Sequence, residues 1–244
     1  MTHFFKMISG QALEAKGARI ALLGGGGKTS LLRRLGREYA QVFDRVLLSS
    51  LTLSSRDHGS KTQLLPDLGE EGLIPYFAQQ NPVTVMSRAF DARKLEGVNE
   101  EVLAELAAQA DICVFECDGA RNLPLKVHND RDPAVPPYAT HLIILVGADA
   151  VDQTLSGGRI HRPEHFAEWW GVDPEVPLDA EFIAEVVTTR RGYLSKAPEG
   201  LQPAYLVNKA DSYPEQAARL SEAILARGIG PVFVGSVEKG RCER

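Results

Sequence analysis

Four consecutive glycines separate an apolar run from a Lys-Thr pair, and this constrains the chain more than any other feature. Arg19–Leu23 reads as a buried strand, Gly24-Gly25-Gly26-Gly27 as a turn and Lys28–Tyr39 as a helix. Leu31, Leu32, Leu35 and Tyr39 recur at helical spacing in that last segment. Strand, glycine turn and helix in this order suit a phosphate. Glycines let main-chain N–H groups turn toward an anion, and the helix adds its positive N-terminal end. Lys28 brings a mobile charge for the outer phosphates, and Thr29 brings a hydroxyl for magnesium, with Ser30 next in the same turn. The expected ligands are a nucleoside triphosphate, GTP or ATP, and Mg2+.

The pattern G-x-x-x-x-G-K-[ST] would place glycine at position 22, where this chain has Leu22. The compact form G-G-x-G-K-T, used by the dimer-forming branch of phosphate-loop proteins, fits Gly24 to Thr29 without a gap. Leu23 stands where that branch often carries another lysine, so a second lysine acting across a dimer is not expected, although an oligomer stays compatible with the sequence.

The rest of the chain supplies a matching frame. Arg45–Leu51, Pro82–Met86, Asp111–Cys117, His141–Gly147, Pro203–Val207 and Pro231–Val234 read as further strands, several of them almost wholly apolar. Asn99–Gln109 and Pro214–Arg227 read as helices, the first capped by Asn99 and the second stopped by Gly228. Strands alternating with helices predict a P-loop NTPase-like, three-layer α/β/α fold around a mostly parallel sheet. The 244 residues suit a single domain, 1–244, with loop elaborations at about 54–80 and 122–137.

A formal net charge of −5 argues against a nucleic-acid partner. No apolar stretch approaches the ~20 residues of a membrane helix, and residues 1–10 are too mixed for a signal peptide. Cys113, Cys117 and Cys242 match no common zinc or disulfide pattern and read as buried thiols. A cytoplasmic location is expected.

Two further segments carry chemistry. The strand Asp111–Cys117 runs into Glu116-Cys117-Asp118-Gly119, where alternation turns Glu116 and Asp118 to the same side. At the end of a parallel strand beside the phosphate loop, a carboxylate can hold magnesium or orient a water, with Asp118 favoured for the metal. The hydroxyls of Ser49, Ser50 and Thr52 close the second strand at the same edge. Asn208-Lys209-Ala210-Asp211 follows a late strand and matches the N-K-x-D pattern of GTPases. There the Asp accepts from two guanine N–H groups, the Lys stem packs along the base, and the Asn braces the loop. Adenine lacks those donors, so Asp211 leans the reading toward GTP.

Several segments together resemble the YqeC family, accessory proteins of selenium-dependent molybdenum hydroxylases. They are Gly25–Thr29, Lys94–Gly97, Glu116–Arg121, Leu123–Lys126, Asp132–Pro136, His161–Glu164 and Asn208–Asp211. Where the family tends to have Glu-Ala-Asp-Gly, this chain has Cys117 in the middle. The resemblance implies a role in maturing a molybdenum- or selenium-containing hydroxylase, with that enzyme or a cofactor intermediate as partner. Arg121 and Lys126 are then candidates for contacting phosphates or an anionic cofactor. His161 and His165 lie one helical turn apart, a spacing that can share a metal, though paired histidines more often face solvent. Trp169 and Trp170 are expected to pack their helix onto the sheet.

Two classes of function follow. One is a magnesium-dependent hydrolase or phosphoryl or nucleotidyl transferase in which Lys28, Asp118 and Glu116 act on the nucleotide. The other is a nucleotide-gated binding protein without fast turnover.

Overall fold

The computed structural model describes residues 3–4, 12–55, 62–69, 71–130, 132 and 135–244. In chain order the elements begin with β1 (Arg19–Gly24), α1 (Lys28–Tyr39), β2 (Val46–Ser50), β3 (Ser54–Ser55), β4 (Thr62–Leu64), α2 (Ile74–Phe77) and β5 (Val83–Met86). There follow β6 (Arg88–Ala89), β7 (Lys94–Glu96), α3 (Glu100–Ala108), β8 (Ile112–Glu116), β9 (Leu125–Lys126), β10 (His141–Gly147) and β11 (Ile160–His161). The chain continues through α4 (Pro163–Trp170), α5 (Ala180–Thr188), β12 (Pro203–Asn208), α6 (Pro214–Ala226), β13 (Val232–Ser236) and β14 (Arg241–Glu243).

The main sheet has nine strands in the order β14-β13-β12-β10-β1-β8-β2-β5-β4. Every neighbouring pair is parallel except β13–β14. β1 therefore lies mid-sheet, with β8 and β2 on one side and β10 and β12 on the other. The crossovers leave β1 in opposite directions there, and ligands of open α/β sheets bind at the carboxyl ends beside such a point.

Strand alternation separates two cores. Ile20 and Leu22 pack with Leu31, Leu35 and Tyr39 of α1 on one face. Ala21 and Leu23 face the opposite cluster with Leu103, Leu106, Ile183, Leu220 and Ile224 from α3, α5 and α6. Sheet and two helical layers give the expected α/β/α arrangement, P-loop NTPase-like in form. α1 spans the residues its apolar spacing indicates, and the Asn99 side chain caps α3 by accepting from Val102 N at 2.8 Å.

Several elements depart from the sequence reading. α5 had no counterpart there, although Asp179 caps it by accepting from Phe182 N at 2.8 Å and Ile183, Val186 and Val187 keep helical spacing. The stretch expected as an irregular loop at 54–80 contains β3, the edge strand β4 and the short α2. Residues 56–61 and 70 of that stretch, and 131 and 133–134 of the other long loop, lie outside the described residues. Trp170 is buried in the core cluster that includes strand residues and lies edge-on to Phe182 of α5 at 5.5 Å, while Trp169 is 49% exposed. Cys113, Cys117 and Cys242 are buried. Among the described residues, no helix is long and apolar enough to cross a membrane.

Candidate functional site

The carboxyl ends of β1, β8, β10, β12 and β13 converge on the glycine turn. Gly26 and Gly27 take φ of 79° and 126°, which side chains rarely adopt. A Cβ on Gly26 would also stand 2.5 Å from Gly147 N. Among the described residues no side chain caps α1, so its first-turn N–H groups are left to other partners. A cleft of about 790 Å³, open to solvent, is lined by Gly26, Gly27, Ser30, Asn208, Lys209, Asp211, Ser236, Val237 and Glu238, with Asn122 at one side.

Asn208 joins the three walls of this cleft. Its Nδ2 donates to Gly26 O at 2.6 Å, and its Oδ1 accepts from Val237 N at 2.9 Å. The Asn-Lys-Ala-Asp loop is thereby held against the glycine turn. Lys209, at a φ of 67°, pairs with Asp149 Oδ2 at 2.7 Å, and Arg159 pairs with the same oxygen. Asp211 is exposed on the cleft wall.

Behind the turn lies a buried ionic network. Asp118, wholly buried, accepts from Gly24 N at 3.0 and 3.1 Å and sits 3.1 Å from Lys28 Nζ. Its other neighbours are His128 Nε2 at 2.8 Å and Lys126 Nζ at 3.4 Å. Lys28 Nζ also donates to Gly24 O. Burial pushes the Asp118 carboxyl up, but Lys28, Lys126 and His128 outweigh it and hold the group far below the usual carboxylate range. Asp118 was expected as a magnesium ligand. Here both of its oxygens are engaged in holding lysines, a histidine and a main-chain amide.

Glu116 has the opposite environment. Burial pushes its carboxyl up, against the pull of Lys28 and a hydrogen bond from Thr29. Its Oε1 has no hydrogen-bond partner among the described residues. A buried, partnerless carboxylate oxygen beside Thr29 is the position from which a cation or a water can be held.

The remaining candidates fall in different places. Lys126 is fully buried, donating to Gly119 O at 2.8 Å and to Asp132, so it presents nothing to a free anion. Asp132 also accepts from Arg162 Nη1 at 2.9 Å. Arg121 is exposed, at a φ of 48°. Ser49 turns inward to Val85 O at 2.9 Å, and Ser50 bonds within its own turn, at 3.1 Å to Thr52 O. The buried Thr52 hydroxyl alone of the three has no partner among the described residues. His161 is buried in β11, while His165 Nε2 meets His128 O at 3.2 Å. No group of three or more potential metal ligands occurs among the described residues.

The sequence reading passed over His128, Tyr193, Asp149 and Ser236–Glu238. A signal existed for the last two. Asp149 follows β10 by two residues, and Ser236–Glu238 closes β13 at the same sheet edge. His128 and Tyr193 gave none, because their roles arise from contacts across 10 and 67 residues.

The segment 122–124 crosses the turn. Gly26 N donates to Leu123 O at 2.9 Å, Gly25 N donates to Leu145 O at 3.0 Å, and Gly147 N donates to Pro124 O at 3.0 Å. Two amides of the glycine turn are thus already paired with main-chain carbonyls.

The model of the family described as "YqeC protein" matches residues 20–164. That span takes in the glycine turn, Glu116, Asp118, Lys126, His128, Asp132 and Arg162, and ends before Asn208. The chain is also similar to "Uncharacterized protein YqeC" of Escherichia coli (strain K12). The two are 22% identical over 226 residues, covering 90% of this chain and 88% of the relative.

Proposed function

This chain belongs to the YqeC family, and from that premise we propose that it binds a nucleoside triphosphate with magnesium, guanine favoured over adenine. One observation carries the reading: Asn208 ties the glycine turn, the Asn-Lys-Ala-Asp loop and the segment after β13 into one cleft. Such a cleft brings a phosphate-sized cradle and a base-sized wall within reach of one ligand.

The residues present fit the cation. Thr29 offers a hydroxyl, and Glu116 offers a buried oxygen that is unpartnered among the described residues. When bound there, magnesium would neutralise charge on the phosphates. Lys28 is the charge for the transferring group, and Asp118 positions Lys28. Glu116 is also placed to orient a water or an acceptor hydroxyl. Asp211 on the cleft wall is the acceptor for guanine N–H donors. Hydrolysis or transfer in the maturation of a molybdenum- or selenium-dependent hydroxylase is the setting that the resemblance suggests.

A second reading, nucleotide-gated binding without fast turnover, is favoured by the segment 122–124. With Gly25 N and Gly26 N paired to Leu145 O and Leu123 O, phosphate must compete with main-chain carbonyls. A ligand that displaces Leu123 also moves the loop leading to Lys126, which makes that segment a switch.

Titration of magnesium GTP and magnesium ATP, with Lys28→Ala and Asp211→Ala as controls, tests binding. Single-turnover assays then separate the two readings. Phosphate or pyrophosphate release faster than from Lys28→Ala supports the enzyme, and binding without release supports the switch. Failure of both nucleotides to bind overturns the proposal.

A further inference from the structure

A second cleft, of about 530 Å³ and open to solvent, shares no lining residue with the first. Its walls include His128, His165, Trp169, Arg191, Tyr193 and Lys196. Trp169 is half-exposed here yet held in place. Its indole N–H donates to Arg191 O at 3.0 Å, and Arg191 Nη2 returns a bond to Trp169 O at 2.6 Å. The His165 ring lies 6.4 Å from the Trp169 ring, and the His128 and Tyr193 rings lie 4.7 Å apart. A fixed, exposed indole flanked by further rings is a platform for a flat ligand.

His128 adds a specific demand. Its side chain is only 5% exposed, and Nε2 faces the Asp118 carboxylate at 2.8 Å. A carboxylate between two lysines is ionised and accepts only, so Nε2 carries the proton. Burial lowers the pKa of His128 in spite of Asp118, which keeps a single proton on the ring. Nδ1 is then a bare acceptor, and it has no partner among the described residues. Around the rim, Arg191 and Lys196 stand against one carboxylate, Asp130.

We propose that this cleft is a second small-molecule site, for a planar heteroaromatic ligand that carries an N–H donor and an anionic group. The ring stacks on Trp169, the N–H satisfies His128 Nδ1, and the anion lies toward Lys196. The site does not depend on the nucleotide reading.

Ligand-observed saturation-transfer NMR on the full chain tests it with two probes. 4-Oxoquinoline-2-carboxylate has the plane, the N–H and the carboxylate, and naphthalene-2-carboxylate lacks only the ring nitrogen and its oxo partner. The quinoline is expected to bind about tenfold more tightly than the naphthalene. Trp169→Ala should weaken the quinoline by about tenfold, while Trp169→Phe, which keeps a ring, retains most of it. Lys196→Ala should weaken it as well, and excess magnesium GTP should leave it bound. The proposal is overturned by absence of quinoline binding, by equal affinity for the two probes, by indifference to Trp169→Ala, or by displacement with GTP.

Discussion

Lys28 Nζ stands 3.1 Å from Asp118 Oδ1, with the two side chains only 5% and 0% exposed. The lysine that should meet a phosphate is therefore already matched by a buried anion, which Lys126 and His128 also hold. Asp118→Ala would leave the buried Lys28 without its counter-ion and Lys126 with Asp132 alone. It should cost about 3–5 kcal/mol of stability, read as a lower urea midpoint. A midpoint equal to that of the parent would show that the network contributes nothing.

The buried carboxylates of this network contribute to the acid limb of stability. The folded carboxyls of Asp118 and Asp132 lie below their ordinary value, so the unfolded chain binds more protons once the pH drops below about 4. Their contribution is present above that pH and is lost as pH falls further. Urea midpoints across this range should fall less steeply in Asp118→Asn than in the parent.

His161 acts in a higher window. Burial, then Arg162 and Lys126, lower it from 6.5 to about 4. The unfolded chain takes up this proton first, so stability declines as pH falls from 6.5 toward 4 and is recovered as pH rises. His161→Gln should flatten that slope by about one proton, while the lowered His128 and His141 keep part of it. An unchanged slope would contradict the placement of His161.

Asn208 holds the cleft with one donor and one acceptor, so its two conservative replacements should differ. Asn208→Ala loses both bonds and should cost about 1–3 kcal/mol. Asn208→Asp sets a carboxylate oxygen against Gly26 O and should cost more, with weaker nucleotide binding. Thermal unfolding and GTP titration of the pair decide this, and equal effects would deny the bond to Gly26 O.

Gly26→Ala meets two obstacles, a φ of 79° and a Cβ position 2.5 Å from Gly147 N. It should cost about 1–3 kcal/mol and abolish triphosphate binding. Retention of parental affinity would mean that the turn does not cradle the ligand as proposed.

Much of the frame was legible in the chain. α1, β1, β8 and β10 follow from runs of apolar residues with a period of 3.6 or none, and Asn99 marked the start of α3. The helix α5 was legible too, through Asp179 and the Ile183–Val187 spacing, but was passed over beside the proline-rich stretch before it. β4 was not legible, because Thr62-Gln63-Leu64 is a three-residue edge strand whose pairing comes wholly from Val85 and its neighbours. The site divided in the same way. Asn208 was legible only through the Asn-Lys-Ala-Asp pattern, and its partners, Gly26 O and Val237 N, come from strand ends that only the fold brings together. Lys126 could not be placed, because a lysine after an acidic strand end reads equally as an anion contact or as a buried counter-ion.

What the sequence determined by itself was a glycine turn between a buried strand and a helix, set in a parallel sheet with acidic and amide-bearing strand ends. Those features depend on backbone freedom and on apolar spacing, which act within a few residues. Only the tertiary structure decided that Asp118 engages lysines while Glu116 keeps an oxygen open, and that Leu123 covers an amide of the turn. Partners of buried charges are chosen by which groups the fold excludes from water together, and those groups stand 6 to 94 residues apart here.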